Sequence, residues 1–202
     1  MERWATFDCY GTLVDWNAGI RSVVGDELLP RYHELEPQVQ AEDPSRSYRD
    51  VLHEVSARLG LADPDELARS LPAWPVFPEV RQSLEDAQRR GWKLAILSNT
   101  DRDFIDASIA SIGVPFEFAI VASELGSYKP GHRHWEAFRE RVTPAAHVHV
   151  AASLFHDIAP ASELGIKTVW INRLGEDPEP QPDVELHTLL GLGDALDSLA
   201  PA

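Results

Sequence analysis

Short apolar runs alternate with amphipathic stretches along this chain, and that alternation restricts the possible fold more than any other feature. Runs at 4–7, 94–97, 118–121, 148–152 and 168–171 are four or five residues long, and most carry β-branched or aromatic residues. That pattern reads as buried strands. The stretch 78–90 places Val80, Leu84 and Ala87 on one helical face and stops at Gly91. Asp101 is placed to cap a helix carrying Phe104, Ile105, Ser108, Ile109 and Ile112, which stops at Gly113. Trp135 and Phe138 stand at i, i+3 in the next helix, and the stretch 158–164 ends at Gly165. Acidic or Ser-type starts with Gly stops are the punctuation of helices. Strands alternating with helices predict an α/β fold, a parallel sheet with helices on both faces.

The first crossover is much longer than the others. Residues 8–77 separate the first strand from the helix near Pro78, far more than a simple connection needs. Helices are predicted inside it. One starts at Asp15 or Asn17 and runs toward Leu29. A second is capped by Ser45, with Tyr48, Val51, Leu52, Val55 and Leu59 on one face and Gly60 at its end. A short third starts at Asp63-Pro64. Pro72, Pro75 and Pro78 mark the return. The chain therefore divides into a core, residues 1–14 and 75–202, and a helical insertion, residues 15–74. The Pro- and acid-rich segment 176–183 reads as an exposed loop.

The 202 residues are 44% hydrophobic and 25% charged, so ordinary core formation needs neither disulfides nor structural metals. Lys plus Arg is 18 against 33 Asp plus Glu, a formal charge of −15. That balance argues against binding nucleic-acid backbones or anionic membranes. A small anionic substrate remains open, because a few local cations can outweigh the global field. No apolar run approaches the ~18 residues of a membrane span, and no signal-type apolar segment follows the first residues. Cys9 is the only cysteine. The expectation is a cytoplasmic protein.

In open α/β sheets ligands bind at the carboxyl ends of the strands. Asp8-Cys9-Tyr10-Gly11-Thr12-Leu13 follows the first run, Ser98-Asn99-Thr100 the second, Ser127-Tyr128-Lys129-Pro130 the third, and the stretch from Ala152 to Asp157 the fourth. Singly, each set is ordinary turn, cap or surface chemistry. Together they would bring two carboxylates, an ammonium, hydroxyls and an amide to one mouth.

This ordered set resembles the haloacid dehalogenase (HAD) superfamily of hydrolases over residues 4–173. Phe7-Asp8-Cys9-Tyr10-Gly11-Thr12-Leu13 is its most specific motif. Tyr10, standing where phosphatase members carry a second Asp, and Val169-Trp170-Ile171-Asn172-Arg173 are similar to the type II 2-haloacid dehalogenase branch. The resemblance implies a Rossmann-like core with a cap inserted after the first motif. It implies Asp8 as a nucleophile forming a covalent ester, and Thr12, Ser98 and Asn99 as hydrogen-bond donors to Asp8 and the substrate anion. Lys129 would keep Asp8 ionised, and Asp157 would orient Lys129 or the hydrolytic water. Tyr10, Asn99, Trp135 and His156 are expected to line the substrate, with His156 as a candidate base on water. Trp135 stands where the branch has Tyr. No cap arginine can be matched to the one that holds the leaving halide; Arg31, Arg46 and Arg49 are candidates. Homodimerisation is compatible with the resemblance.

Phosphate and halide chemistry make different demands. An alkoxide leaving group needs a proton, whereas halide does not. Tyr10, with an ordinary pKa of ~10, is a poor acid at neutral pH. Phosphoryl transfer also calls for Mg²⁺ held by carboxylates, yet Ala152 occupies a position where phosphatases carry an acid. The favoured expectation is metal-free hydrolysis of a small 2-haloacid. The alternatives are an Mg²⁺-dependent phosphatase, with Asp8 and Asp157 holding the metal, and a catalytically silent binding protein. Cys9 lacks the downstream Arg of a cysteine phosphatase, with Asp15 at that position. His132, His134, His147 and His149 lack a metal-ligand motif and read as solvated.

Overall fold

The computed structural model describes residues 2–201. Six parallel strands stand in the order β3-β2-β1-β4-β5-β6. They are β1 (Arg3–Phe7), β2 (Trp92–Ser98), β3 (Phe118–Val121), β4 (Ala146–Ala151), β5 (Lys167–Ile171) and β6 (Val184–Leu186). The five predicted strands are all present. Their central residues are buried on both faces, so they read as continuous apolar runs. β6 was not predicted: its three residues are partly exposed and show no apolar run. Strand order reverses at β1, which pairs with β2 on one side and β4 on the other. The carboxyl ends of those strands therefore form the crevice where such sheets bind ligands.

Between β1 and β2 lie α1 (Trp16–Glu42), α2 (Tyr48–Leu59), α3 (Glu66–Ser70) and α4 (Val80–Arg89). After them come α5 (Arg102–Ile112), α6 (Ala122–Leu125), α7 (Arg133–Arg141), α8 (Ala159–Glu163) and α9 (Leu192–Leu199), with a π turn at Leu154–Ile158. The last helix, absent from the sequence reading, buries Leu192, Ala195 and Leu196.

Two details of the insertion differ from expectation. First, α1 continues well past Leu29. Asp15 caps it, accepting from Ala18 N at 3.0 Å, and the helix bends at Gly25 (φ +74°) before passing through Pro30 and Pro37. An interior proline costs about 3 kcal/mol. Leu29, Tyr32, Leu35 and Val39 bury one face of the second half against α2. At roughly 1.5–3 kcal/mol for each large apolar side chain, that burial outweighs the broken ladder. Second, Ser47 rather than Ser45 caps α2, accepting from Asp50 N at 3.1 Å. Ser45 bonds Asp43 instead.

Asp101 stands at the start of α5, but its carboxylate reaches across to α2. It accepts from Tyr48 N (3.0 Å) and Arg49 N (2.9 Å). Those amides are unpaired in a first turn and carry the positive end of the helix dipole, so a buried carboxylate is stabilised there. Arg49 pairs with Asp103 at 2.5 Å and lies over the Phe104 ring, and Tyr128 Oη donates to Arg46 O at 2.8 Å. The insertion is thus tied to the core at the base of α2.

Candidate active site

β1 ends beside β4, where Asp8 N donates to Val150 O at 3.1 Å. The chain then coils tightly: Cys9 O accepts from the amides of Thr12, Leu13 and Val14. Gly11 takes φ +88° within this loop, a conformation L side chains rarely adopt. The coil returns Thr12 to Asp8. Thr12 Oγ1 accepts from Ala152 N and donates to Asp8 Oδ2, both at 2.9 Å. One hydroxyl therefore joins the ends of β1 and β4.

Lys129 is delivered from beyond β3 by an amide clamp. Asn99 Oδ1 accepts from Lys129 N at 2.7 Å, and Asn99 Nδ2 donates to Lys129 O at 2.9 Å. Asn99 lines the cavity, but its amide serves the Lys129 peptide and not Asp8, which corrects its expected role. Ser98 also lines the cavity, and Thr12 alone of the three expected donors reaches the Asp8 carboxylate. The Lys129 ammonium donates to Asp8 Oδ1 (2.9 Å), Leu97 O (2.8 Å) and Asp157 Oδ1 (2.6 Å). All three of its N–H bonds are taken. The group is buried, so burial alone would lower the Lys129 value. The charges of Asp157 and Asp8 outweigh burial and hold it above the ordinary amine value. Asp157 is the more firmly held anion: burial would raise it, but Lys129 and His149 keep it below the usual carboxylate range. Asp8 goes the other way. Burial pushes it up, Lys129 pulls it back, and the Asp157 charge leaves it above its ordinary value.

Behind Asp157 runs a hydrogen-bonded chain. His149 Nε2 meets Asp157 Oδ1 at 2.9 Å, His149 Nδ1 meets Thr6 Oγ1 at 2.9 Å, and Thr6 Oγ1 meets His147 Nε2 at 2.8 Å. An ionised Asp157 only accepts, so His149 donates to it from Nε2. The expectation of solvated histidines is corrected for His134, His147 and His149, whereas His132 is part-exposed on the surface, 3.3 Å from Glu163. His134 and His149 are fully buried, His149 edge-on to the Trp135 ring, and His147 stacks on Phe138. Burial lowers His134 and His147 to about 3, so both are neutral.

A cavity of about 290 Å³ opens in front of Asp8. The core contributes Asp8, Tyr10, Ser98, Asn99, Lys129, Ser153, His156 and Asp157; the insertion contributes Trp16, His33, Glu36, Pro37, Gln40 and Tyr48. Tyr10 Oη donates to Ser108 Oγ at 3.0 Å, and Ser108 donates to Phe104 O. Burial raises the phenol far beyond its ordinary value, so it stays protonated. His156 lines the cavity with Nδ1 3.1 Å from Ser153 Oγ, and burial holds it neutral. Cys9 is buried, and burial with the Asp8 charge pushes its thiol up, which removes it as a nucleophile.

Trp135 is not in the cavity. It is fully buried beside Trp4, Leu97 and Phe138, so the expected substrate contact is replaced by packing behind His149. None of the three candidate arginines lines the cavity either. The sequence reading missed Thr6, His149 and the α1 face of His33, Glu36 and Gln40. The signal for the first two was present: His147 and His149 alternate on β4, and Thr6 is the one small hydroxyl within the β1 run.

A buried Asp–Lys–Asp cluster at the topological reversal of a parallel sheet, fronted by a helical insertion, defines a class of α/β hydrolases. The sequence model for haloacid dehalogenase-like hydrolases matches residues 3–165, and the chain belongs to that family. It is 32% identical to an (S)-2-haloacid dehalogenase of Pseudomonas sp. strain YL, over 96% of this chain and 94% of that protein. It is 31% identical to a phosphoserine phosphatase of Thermus thermophilus, over 71% of this chain and 61% of that one. The L-2-haloacid dehalogenase structure from Xanthobacter autotrophicus superposes with a TM-score of 0.80 at 21% identity, over 99% of this chain and 100% of that one, so the fold is shared. Among the described residues no helix is long and apolar enough to cross a membrane.

Proposed function

We propose that this hydrolase cleaves the carbon–halide bond of a small 2-haloacid, using Asp8 as nucleophile and no metal. The observation that carries the reading is the pairing around Asp8. Both its oxygens accept from fixed donors, Lys129 and Thr12, while the neighbouring phenol of Tyr10 is committed to Ser108. A carboxylate nucleophile is in place, and Tyr10 is unfit to protonate a leaving alkoxide. A halide leaving group needs no such acid.

In the first step an Asp8 oxygen attacks C2, and the halide departs with the C–X bonding pair, leaving an ester on Asp8. In the second, water attacks the ester carbonyl. His156, neutral and with Nδ1 3.1 Å from Ser153 Oγ, takes one water proton at Nε2. As the C–O bond between the ester carbonyl and the C2 oxygen breaks, His156 returns that proton to the departing C2 oxygen, which frees the 2-hydroxyacid; the Asp8 carboxyl gives up the second water proton to solvent and is a carboxylate again. Asp157 holds Lys129 in register throughout. The insertion acts as a cap that closes the cavity over the substrate.

The family's phosphatases imply Mg²⁺, and the residues here do not fit it. The Lys129 ammonium occupies the space between the two carboxylates at 2.9 and 2.6 Å. Ala152 supplies no third oxygen side chain, and among the described residues no group of three or more His, Cys, Asp or Glu is arranged to hold a metal.

The test is halide release from 2-chloropropionate in EDTA. Release that persists in EDTA and disappears in Asp8→Asn supports the reading. Absence of release, together with Mg²⁺-dependent hydrolysis of a phosphate ester, would overturn it.

A further inference from the structure

A second cavity adjoins the one in front of Asp8. It is the larger, about 450 Å³ against about 290 Å³. Tyr10, Trp16 and Ser153 line both, so the two meet along those side chains. Asp8, Ser98, Lys129 and His156 line the first and not the second, whereas Gly11, Phe77, Ala152, Ile171 and Leu174 line the second and not the first. The reacting groups stand in one cavity and the apolar lining in the other. Gly11 and Ala152 leave that lining free of bulk near the end of β1: a Cβ placed on Gly11 would meet the Ala152 Cβ at 4.0 Å. Leu174, beyond β5, lines the second cavity while 72% exposed, so the apolar surface continues out to solvent.

We propose that the second cavity is a tail subsite, which takes the hydrocarbon side chain of a 2-haloacid whose C2 and carboxylate stay in the first. The inference rests on the dehalogenase reading and extends it to chain length. The carboxylate remains among hydroxyl and amide donors of the first cavity, Ser98 and Gln40 among them. Charge in the second cavity is committed elsewhere. Asp15 caps α1, Arg21 pairs with Asp26 at 2.8 Å, and Arg173 Nη2 reaches Glu79 and Thr12 O, each at 2.8 Å, with its guanidinium over the Phe77 ring. Arg173 Nε is buried without a partner, so a tail ending in a carboxylate is the competing occupant. Against it, Asp15 and Glu176 share the same cavity and repel an anion. Each methylene moved from water onto an apolar surface is worth about a fourfold gain.

Two measurements decide this. The first is NMR titration of the wild-type protein with propionate, hexanoate and adipate, none of which carries a leaving group. Hexanoate is expected to bind about tenfold or more tighter than propionate, with shifts at the methyls of Ile171 and Leu174, and Ala152→Leu is expected to remove the gain. No gain, a gain that survives Ala152→Leu, or shifts confined to the α1 face would overturn the proposal. Tighter binding of adipate than of hexanoate would also overturn it, in favour of a charged tail. The second is halide release from 2-chlorohexanoate and 2-chloropropionate, where the longer acid is expected to lead by a similar factor in kcat/KM. Leu174→Asp is expected to cut that ratio about threefold. Release from neither compound sinks the dehalogenase reading, while the binding arm still decides the tail subsite. Release from 2-chloropropionate with none from 2-chlorohexanoate sinks the proposal alone.

Discussion

The two walls of the cavity are organised differently. On the strand side, Asp8, Lys129, Asp157, His149 and Thr6 are joined by bonds of 2.6–2.9 Å, and the cluster is rooted in β1 and β4. On the α1 side, His33, Glu36 and Gln40 lie on one helix face, on the far side of the Gly25 bend and part-exposed or exposed. The strand wall has the rigidity that a positioned nucleophile needs. The helix wall can change residue by residue without disturbing that machinery.

The contrast predicts opposite penalties. Lys129→Met leaves two buried carboxylates facing each other without a cation. It should cost about 3–5 kcal/mol of stability and abolish activity, read by urea denaturation and halide release. Asp8→Asn removes one of the two negative charges instead. It should abolish activity with little loss of stability. Equal destabilisation by the two variants would break the argument that the cluster is held by its central cation.

Next in size is His149. His149→Leu keeps the volume against Trp135 but removes the bond to Asp157. A hydrogen bond to a charged group is worth about 1.5–3 kcal/mol, so kcat should fall roughly tenfold to a hundredfold with KM nearly unchanged. Thr6→Val should show a weaker version, since it frees only the tautomer. If KM moves and kcat does not, His149 does not act through Asp157.

Asp101→Ala probes the tie between the two walls. It removes the carboxylate bonded to Tyr48 N and Arg49 N, and losing such a cap costs about 1–2 kcal/mol. Because Tyr48 lines the cavity, KM should rise several-fold while kcat holds.

Different parts of this molecule are legible from sequence to different degrees, for physical reasons. Five strands show because they are buried on both faces, and each chemical group of the site follows one of them. β6 does not show because three half-exposed residues make no pattern. Glu36 was hidden by one misread stop: with α1 expected to end near Leu29, His33, Glu36 and Gln40 shared no helix and so no face. The burial of His149 depends on Trp135 and Thr6, which meet it only in three dimensions. Ser47 and Asp101 show the same limit, since either of two nearby serines could cap α2 and the second cap comes from a residue far along the chain.

The smallest effect concerns pH. Asp8 lies above its ordinary value and Asp157 below it, so they take protons in that order as pH falls. Protonating Asp8 removes the carboxylate that the proposed reaction uses as its nucleophile. Because its folded value is raised, the folded state binds that proton more tightly than the unfolded chain does, so this step does not favour unfolding. Asp157 has the opposite sign: its stabilising contribution is present above the ordinary carboxylate value and is lost only as pH falls through its lowered value. Activity should therefore disappear reversibly at a pH where the chain is still folded, with the midpoint of kcat/KM above the midpoint of acid unfolding followed by circular dichroism. Coincident midpoints would mean that the two carboxylates titrate as one unit and that Lys129 does not distinguish them.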